Sequence, residues 1–344
     1  MATKPAFPLI SVIVPAYNLE NRIARTLLSL LKQDYPALEI IVVDDCSPDN
    51  TASAARDVLE GGGTGFKIIR HDTNLGVSAA RNTGMAASSG EFILFMDGDD
   101  YADSDFILAL YNAMRSSDEC DISFCGYRVR VEETGDESYR RIPRRLVKYC
   151  GRPQYLAALR LLKKFAPNIC TVLFRSDFIA SRRLLFEQGC SAGEDIEFFV
   201  KALVQSRRAG ISTRCPYVYL IHKGMGSVAQ STTEMQRLTR YAHNTEAHAR
   251  LASYLDRYAS EPLLVSLSKY MLRPQVCQRR LSLLASSNDR SSFDAMLSDE
   301  RVRRTLLSSY RSFCRKPEVF LKSLLLLIAP GVYFDKYKPR KRCR

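Results

Sequence analysis

Three short polar runs in this sequence carry residue types that do chemistry. Asp97-Gly98-Asp99-Asp100 directly follows the apolar run Glu91–Met96. Three carboxylates within four residues repel one another unless a cation or a basic side chain holds them. Hard oxygen ligands of this kind suit Mg²⁺ or Mn²⁺, which take one or two carboxylates and share substrate phosphate oxygens. The plain alternative is an acidic turn capping the next helix, with Asp103 and Asp105 at hand. A phosphatase of the haloacid dehalogenase type also sets Asp-x-Asp after a strand, but on its first strand, and Asp97 comes too late.

Val42-Val43-Asp44-Asp45-Cys46-Ser47 ends another apolar run. A carboxylate there could accept from a ribose or a base imide, or the run is a turn capped by Ser47 or Asp49. Glu194-Asp195 precedes an apolar helical stretch. It is either a carboxylate cap at a helix start or a general base that accepts a hydroxyl proton. The residues alone leave these two readings even. Gly61–Gly65 precedes a strand-like run and no Gly-Lys-Ser/Thr lies near it, so it reads as a surface turn and not a phosphate loop.

The elements that must position these groups follow from periodicity. Ile10–Val14, Glu39–Val43, Phe66–Arg70 and Glu91–Met96 read as buried strands. Between them Asn21–Leu31, Thr51–Leu59 and Ser78–Ala87 read as helices. Strand and helix alternating at this spacing predict a right-handed α/β series with a mostly parallel sheet and helices on both faces. Ligands then sit at the carboxyl ends of the strands, where Tyr17-Asn18, Asp44-Asp45 and Asp97–Asp100 all fall. Further on, Phe106–Met114, residues 153–165 and Ile196–Gln205 read as helices, and Ile122–Val131 and Tyr217–Ile221 as strands. Glu132–Arg145 is charged and reads as an exposed hairpin or loop. Residues 232–315 are helical by periodicity.

Together these pieces resemble the family 2 glycosyltransferases of the GT-A fold, Rossmann-like with a helical C-terminal region added. The carrying segments are Ser11–Asn18 (SVIVPAYN), Val42–Ser47, Asn74–Asn82 (NLGVSAARN), Gly90–Asp100 and Gly193–Phe198 (GEDIEF). They occur in the family's order over about residues 8–228, which sets domains at 1–230 and 231–344. The resemblance implies transfer of a sugar from a nucleotide-sugar donor, a UDP-sugar foremost, to a hydroxyl of a glycan or lipid-linked acceptor. It implies that Pro15, Ala16 and Tyr17 pack on the base, that Asp45 hydrogen-bonds it, and that Arg81 lies near the nucleotide. Asp97 and Asp99 match the Asp-x-Asp pair that meets a divalent metal, Mg²⁺ or Mn²⁺, and Asp97 also meets the nucleotide sugar. Asp195 matches the base of inverting members, and His222 or Lys223 would approach the diphosphate. Asn168–Arg175 departs from the family pattern where the acceptor site is normally shaped.

Of 344 residues, 50 are Lys or Arg and 37 Asp or Glu, a net charge of +13. Residues 240–344 hold 21 of the basic and 9 of the acidic groups, so the excess sits in the C-terminal third. Basic charge gathered away from the catalytic segments favours attachment over nucleic-acid binding, and no aromatic-interleaved recognition motif accompanies it. Val319–Phe334 is mostly apolar but contains Lys322 and Pro330, too short and interrupted for the ~20 apolar residues of a span. With the basic run Lys336–Arg344 behind it, residues 319–344 have the two-signal pattern of a peripheral membrane contact. A helix packed on the core with a solvated tail is the alternative. The 10 Cys include no CxxC pair, and MATKPAFPLI lacks a signal peptide's apolar core, so free thiols and the cytoplasmic membrane face are expected. The remaining rivals are a catalytically inactive sugar-nucleotide-binding protein and a nucleic-acid-binding protein using the basic region.

Overall fold

The computed structural model describes residues 7–222, 233–312 and 316–337. The chain divides into two compact units, Met1–Thr232 and Thr233–Arg344. In the first unit β1 (Ile10–Ala16), β2 (Leu38–Asp44), β3 (Gly65–Arg70) and β4 (Phe92–Phe95) alternate with α1 (Ile23–Leu31), α2 (Thr51–Glu60) and α3 (Val77–Ala87). β1 pairs in parallel with β2 on one side and β4 on the other, and β3 extends the sheet from β2. β1 is buried along its whole length and β2 along all but its first residue. That is why both read as unbroken apolar runs without alternation. α1 buries Ile23, Leu27 and Leu30, the i, i+4, i+7 stripe of a surface helix.

After β4 the chain forms β5 (Tyr101–Ala102), α4 (Phe106–Met114), β6 (Cys120–Phe124), β7 (Tyr127–Val131), β8 (Glu137–Arg140) and α5 (Pro153–Leu161). Then come β9 (Val172–Arg175), α6 (Ser176–Arg182), α7 (Glu194–Gln205), β10 (Arg208–Ile211) and β11 (Tyr217–Ile221). The main sheet has seven strands in the order β10-β6-β9-β4-β1-β2-β3, and a second sheet has four in the order β5-β11-β7-β8. The main sheet is mostly parallel with helices on both sides, as expected. β9 is the exception, running antiparallel between β4 and β6.

One expected strand is two. Ile122–Val131 breaks at Cys125-Gly126, and its halves, β6 and β7, belong to different sheets. Gly126 sits where a Cβ would lie 2.6 Å from Cys215 Sγ and 2.7 Å from the Arg140 carbonyl oxygen, so the crossing between sheets passes only without a side chain. The charged stretch after β7 does form a hairpin, with β8 antiparallel to β7.

The second unit is helical: α8 (Glu234–Tyr258), α9 (Pro262–Leu267), α10 (Arg273–Ser286), α11 (Arg290–Ser298), α12 (Glu300–Ser308), α13 (Pro317–Ile328) and α14 (Pro330–Tyr337). α8 opens with a capping box between Thr233 and Gln236. Leu281, Phe293, Leu306, Leu326, Tyr333 and Phe334 build one core. Inside it Gln278 donates to the Val319 carbonyl at 2.6 Å and the Ser323 hydroxyl at 2.8 Å. Among the described residues no single helix is long and apolar enough to cross a membrane, and α13 and α14 meet at a bend of 112°. Their buried face packs on this core, while Leu321, Leu324, Ile328 and Val332 remain exposed on the other.

Candidate active site

β1, β2 and β4 run parallel, so their carboxyl ends share one edge of the sheet. Pro15 and Ala16 end β1 in the interior, and Tyr17 beyond them is 49% exposed, a free ring at the rim. The loop after β1 is tied to the loop after β2. The Ser47 hydroxyl accepts from the Asn18 N–H at 3.0 Å, and the Thr51 hydroxyl from the Leu19 N–H at 2.7 Å. Asn18 and Cys46 hold positive φ, 56° and 61°, a conformation uncommon outside glycine that such cross-ties keep in place.

Asp45 is buried within a network of its own. Its carboxylate accepts from the N–H groups of Leu75 and Gly76 at 2.9 and 2.7 Å and lies 2.7 Å from His71 Nδ1. His71 Nε2 meets Thr83 on α3 at 2.9 Å. Asp45 thus fixes the turn into α3, at whose start Gly76 takes φ 86°. The expected hydrogen bond to a base would have to be added to this set. His71 went unremarked in the sequence, since its partners are 26 and 12 residues away.

α3 delivers Arg81 to the centre of the cleft. Its guanidinium is 3% exposed and joins Asp97 at 3.0 Å to Asp195 at 2.5 Å, with Glu194 at 4.0 Å. It also lies over the Phe186 ring, 5.2 Å from the centroid. Asn82 clamps the same residue, donating to the Phe186 carbonyl and accepting from its N–H at 2.8 and 3.0 Å. The chain thereby reaches Gly193, whose φ of 91° starts α7 with Glu194 and Asp195 in its first turn. Burial opposes the charge on Arg81, yet Asp195 and Asp97 overcome it and raise its affinity for its proton. Enclosure pushes the Asp195 carboxyl upward against the pull of Arg81. Burial and the Asp195 charge push Glu194 up to about 7, and its Oε2 has no hydrogen-bond partner. Glu194 therefore keeps a proton in the fold between its ordinary value of 4.5 and about 7, so stability falls as pH rises through that window.

The Asp97–Asp100 turn separates three carboxylates into three environments. Asp97 faces Arg81. Asp100 is buried, accepting from the Tyr217 hydroxyl at 2.5 Å and the Leu220 N–H at 2.8 Å, which pins β11 to the turn. Burial raises its carboxyl well above the ordinary value. Thr26 of α1 lies 2.9 and 2.6 Å from the Gly98 and Asp100 carbonyls, sharing its one proton between them. Asp99 is half-buried; burial and Asp97 raise its carboxyl, and His222 and Arg22 act against that.

His222, immediately after β11, is 3% exposed. Its Nδ1 lies 2.5 Å from Glu132 Oε2, and its buried Nε2 has no partner. Glu132 was read only as part of a charged hairpin; the parallel register Val131↔Ile221 brings it beside His222. A carboxylate behind one imidazole nitrogen with the other left open is the arrangement that readies a histidine for a metal. Among the described residues no three His, Cys, Asp or Glu side chains converge to hold an ion alone. The His222 charge acts on Asp99, and one carboxylate beside an open imidazole nitrogen is a donor pair suited to an ion that completes its shell with phosphate oxygens and water. Lys223 lies outside the described residues.

The model of "Glycosyl transferase family 2" matches residues 11–181. The uncharacterized glycosyltransferase EpsJ of Bacillus subtilis is 31% identical over 62% of this chain and 61% of its own length. YibD of Escherichia coli is 26% identical over 74% of this chain and 73% of its own. The poly(ribitol-phosphate) beta-N-acetylglucosaminyltransferase TarS of Staphylococcus aureus is 28% identical over 73% of this chain but 44% of its own length. The chain thus spans only part of the length of these curated relatives. The structure of S. aureus TarS 1–349 with UDP-GlcNAc superposes with a TM-score of 0.65 at 20% identity, covering 97% of this chain and 93% of that one. A mannosyltransferase from Pyrobaculum calidifontis, in complex with GDP-Man and Mn²⁺, gives 0.53 at 19% identity over 95% and 88%. These neighbours share the GT-A fold.

Proposed function

This chain belongs to glycosyl transferase family 2, and from that premise we propose that it is an inverting, divalent-metal-dependent glycosyltransferase. It moves a sugar from a nucleotide-diphosphate sugar, a UDP-sugar foremost, to a hydroxyl of a glycan or lipid-linked acceptor. The observation that carries this reading is the single Arg81 guanidinium joining Asp97 to Asp195 at the carboxyl edge of the sheet. UDP-GlcNAc in the TarS complex supports the choice of nucleotide, and the beta linkage in the TarS name is what inversion of an α-linked donor would produce.

In this mechanism the β1 end, with Pro15, Ala16 and Tyr17, receives the base, and Asp45 acts behind it by shaping the turn into α3. Asp195 accepts the proton of the acceptor hydroxyl as that oxygen attacks the anomeric carbon from the face opposite the leaving diphosphate. One base on one face gives direct displacement, unlike the carboxylate pair of retaining hydrolases. Arg81 keeps Asp97 and Asp195 from repelling each other and orients the base. Mg²⁺ or Mn²⁺, when bound, supplies positive charge to the departing diphosphate, and Asp99 and His222 Nε2 would hold it. His222 is thereby assigned to the diphosphate through the metal and not by direct contact.

Calorimetric titration of UDP-sugars with and without Mn²⁺ tests this reading. Metal should tighten donor binding about tenfold or more, and Asp99→Asn and His222→Ala should each remove most of that gain. Equal affinity with and without metal in all three proteins would sink the metal assignment, and absence of any nucleotide-sugar binding would sink the donor.

We also assign this enzyme to the cytoplasmic membrane face as a peripheral protein. The exposed row Leu321, Leu324, Ile328 and Val332 on α13 and α14, followed in sequence by the basic run ending at Arg344, supports an anionic bilayer as the partner. Co-sedimentation with phosphatidylglycerol vesicles should exceed that with phosphatidylcholine, weaken as salt rises, and drop about tenfold in Leu321→Asp/Ile328→Asp. Equal partitioning onto both vesicle types would refute it.

A further inference from the structure

A second feature of the site lies at Asp195, among residues other than Arg81 and Asp97. A cavity of about 190 Å³ opens there, smaller than the ~300–1,000 Å³ of a site for a drug-sized ligand and suited to one small group. α5 contributes Arg160, β7 contributes Tyr127, the segment before β9 contributes Asn168, and α7 contributes Asp195 and Phe199. Arg160 is mostly buried, and no described residue pairs with its guanidinium by hydrogen bond or ion pair; its Nε is shut off from solvent with no partner. Burial lowers its hold on its proton, with only Tyr127 and Asp195 opposing at longer range.

A guanidinium largely withdrawn from water with no anion in contact carries a cost in stability. The cost is offset when a ligand brings the missing anion. Resting on the reading of Asp195 as base, we propose that Arg160 is the floor of an acceptor subsite that takes a phosphate group adjoining the sugar or alditol whose hydroxyl is glycosylated. The planar fork of Arg suits two phosphate oxygens at once. The phosphate falls within the same cavity wall as Asp195, so binding it sets the neighbouring hydroxyl beside the base. Two sources carry this chemistry: a phosphodiester-linked alditol chain, and the diphosphate of a lipid-linked sugar.

The test is direct binding, without donor, of three probes to the full chain: a short alditol-phosphate oligomer, a short-chain prenyl-diphosphate sugar, and a neutral oligosaccharide of matching length. At least one phosphorylated probe should bind, and Arg160→Met should weaken it roughly 10- to 100-fold with the neutral probe unchanged. Arg160→Lys should recover part of the loss. Which phosphorylated probe loses affinity identifies the source. Arg160→Met should also melt at the same temperature as the parent or higher, because it removes a largely enclosed charge that has no partner in contact. A structural arginine would instead lower the melting point and leave probe binding alone, and that result overturns the proposal. Equal binding of phosphorylated probes by parent and variant overturns it as well. Nucleotide-sugar binding, titrated separately, reports on the donor reading: its absence beside Arg160-dependent phosphate binding would fault the transferase reading and not the subsite.

Discussion

Asp195→Asn is expected to lower sugar transfer about 10²- to 10⁴-fold, the usual contribution of a positioned general base, while the affinity for the nucleotide sugar stays within about twofold. Asn keeps the shape and can still accept from Arg81 at the position now 2.5 Å away, so the fold should survive; it cannot take the acceptor's proton. The sign of the pH dependence follows from the same carboxyl. Asp195 is raised above its ordinary value, so its proton is held to higher pH than a free carboxyl holds it, and while it is held the base is blocked. Transfer by the parent should therefore rise with pH as that proton leaves and then level off. Asp195 and Glu194 titrate together, so the inflection belongs to the pair. A flat profile from pH 5 to 9, or an Asp195→Asn enzyme with more than about a tenth of parental activity, would contradict the assignment.

Arg81→Met is expected to damage both stability and activity. Removing one member of a fully buried ion pair costs about 3–5 kcal/mol, because the partner is left charged and dry. Here Asp97 and Asp195 are 29% and 38% exposed on their side chains, and solvent screens part of that loss, which brings the expectation to about 2–3 kcal/mol. For a unit of this size that corresponds to roughly 5–10 °C in melting temperature. Transfer should fall by at least about 100-fold, since the two carboxylates repel and Asp195 loses the contact that orients it. Arg81→Lys keeps the charge but reaches only one carboxylate well, and should recover stability more than activity. A melting temperature within a degree of the parent for Arg81→Met would show that the bridge does not hold the site together.

The parallel core was legible because β1 and β2 are buried on both faces and their apolar runs end in polar turns. The edge where these strands end followed from that; the family resemblance pointed to Asp97, Asp99, Arg81 and Asp195, and the structure brings Arg81, Asp97 and Asp195 together. What escaped depends on pairing between distant residues. β9 is a four-residue strand whose antiparallel insertion between β4 and β6 leaves no local mark. The break at Gly126 is set by Cys215 and Arg140, far along the chain. Glu132 looked like one charge among many in a hairpin; only the β7–β11 register sets it behind His222. Asp45 carried its family role in the sequence, but the turn of residues 71–76 that closes on its carboxylate is visible only in three dimensions. Glu194 and Asp195 are neighbours of like type, and only the structure shows that Asp195 takes the 2.5 Å contact with Arg81 while Glu194 stays 4.0 Å away.

The anomeric configuration of the first product, followed by proton nuclear magnetic resonance during transfer from an α-linked UDP-sugar with Mn²⁺ present, tests the central claim most directly. A β-linked product formed from the first turnover, lost in Asp195→Asn, is the expected result. An α-linked product would require two displacements or a different nucleophile, and would contradict Asp195 acting as the single base.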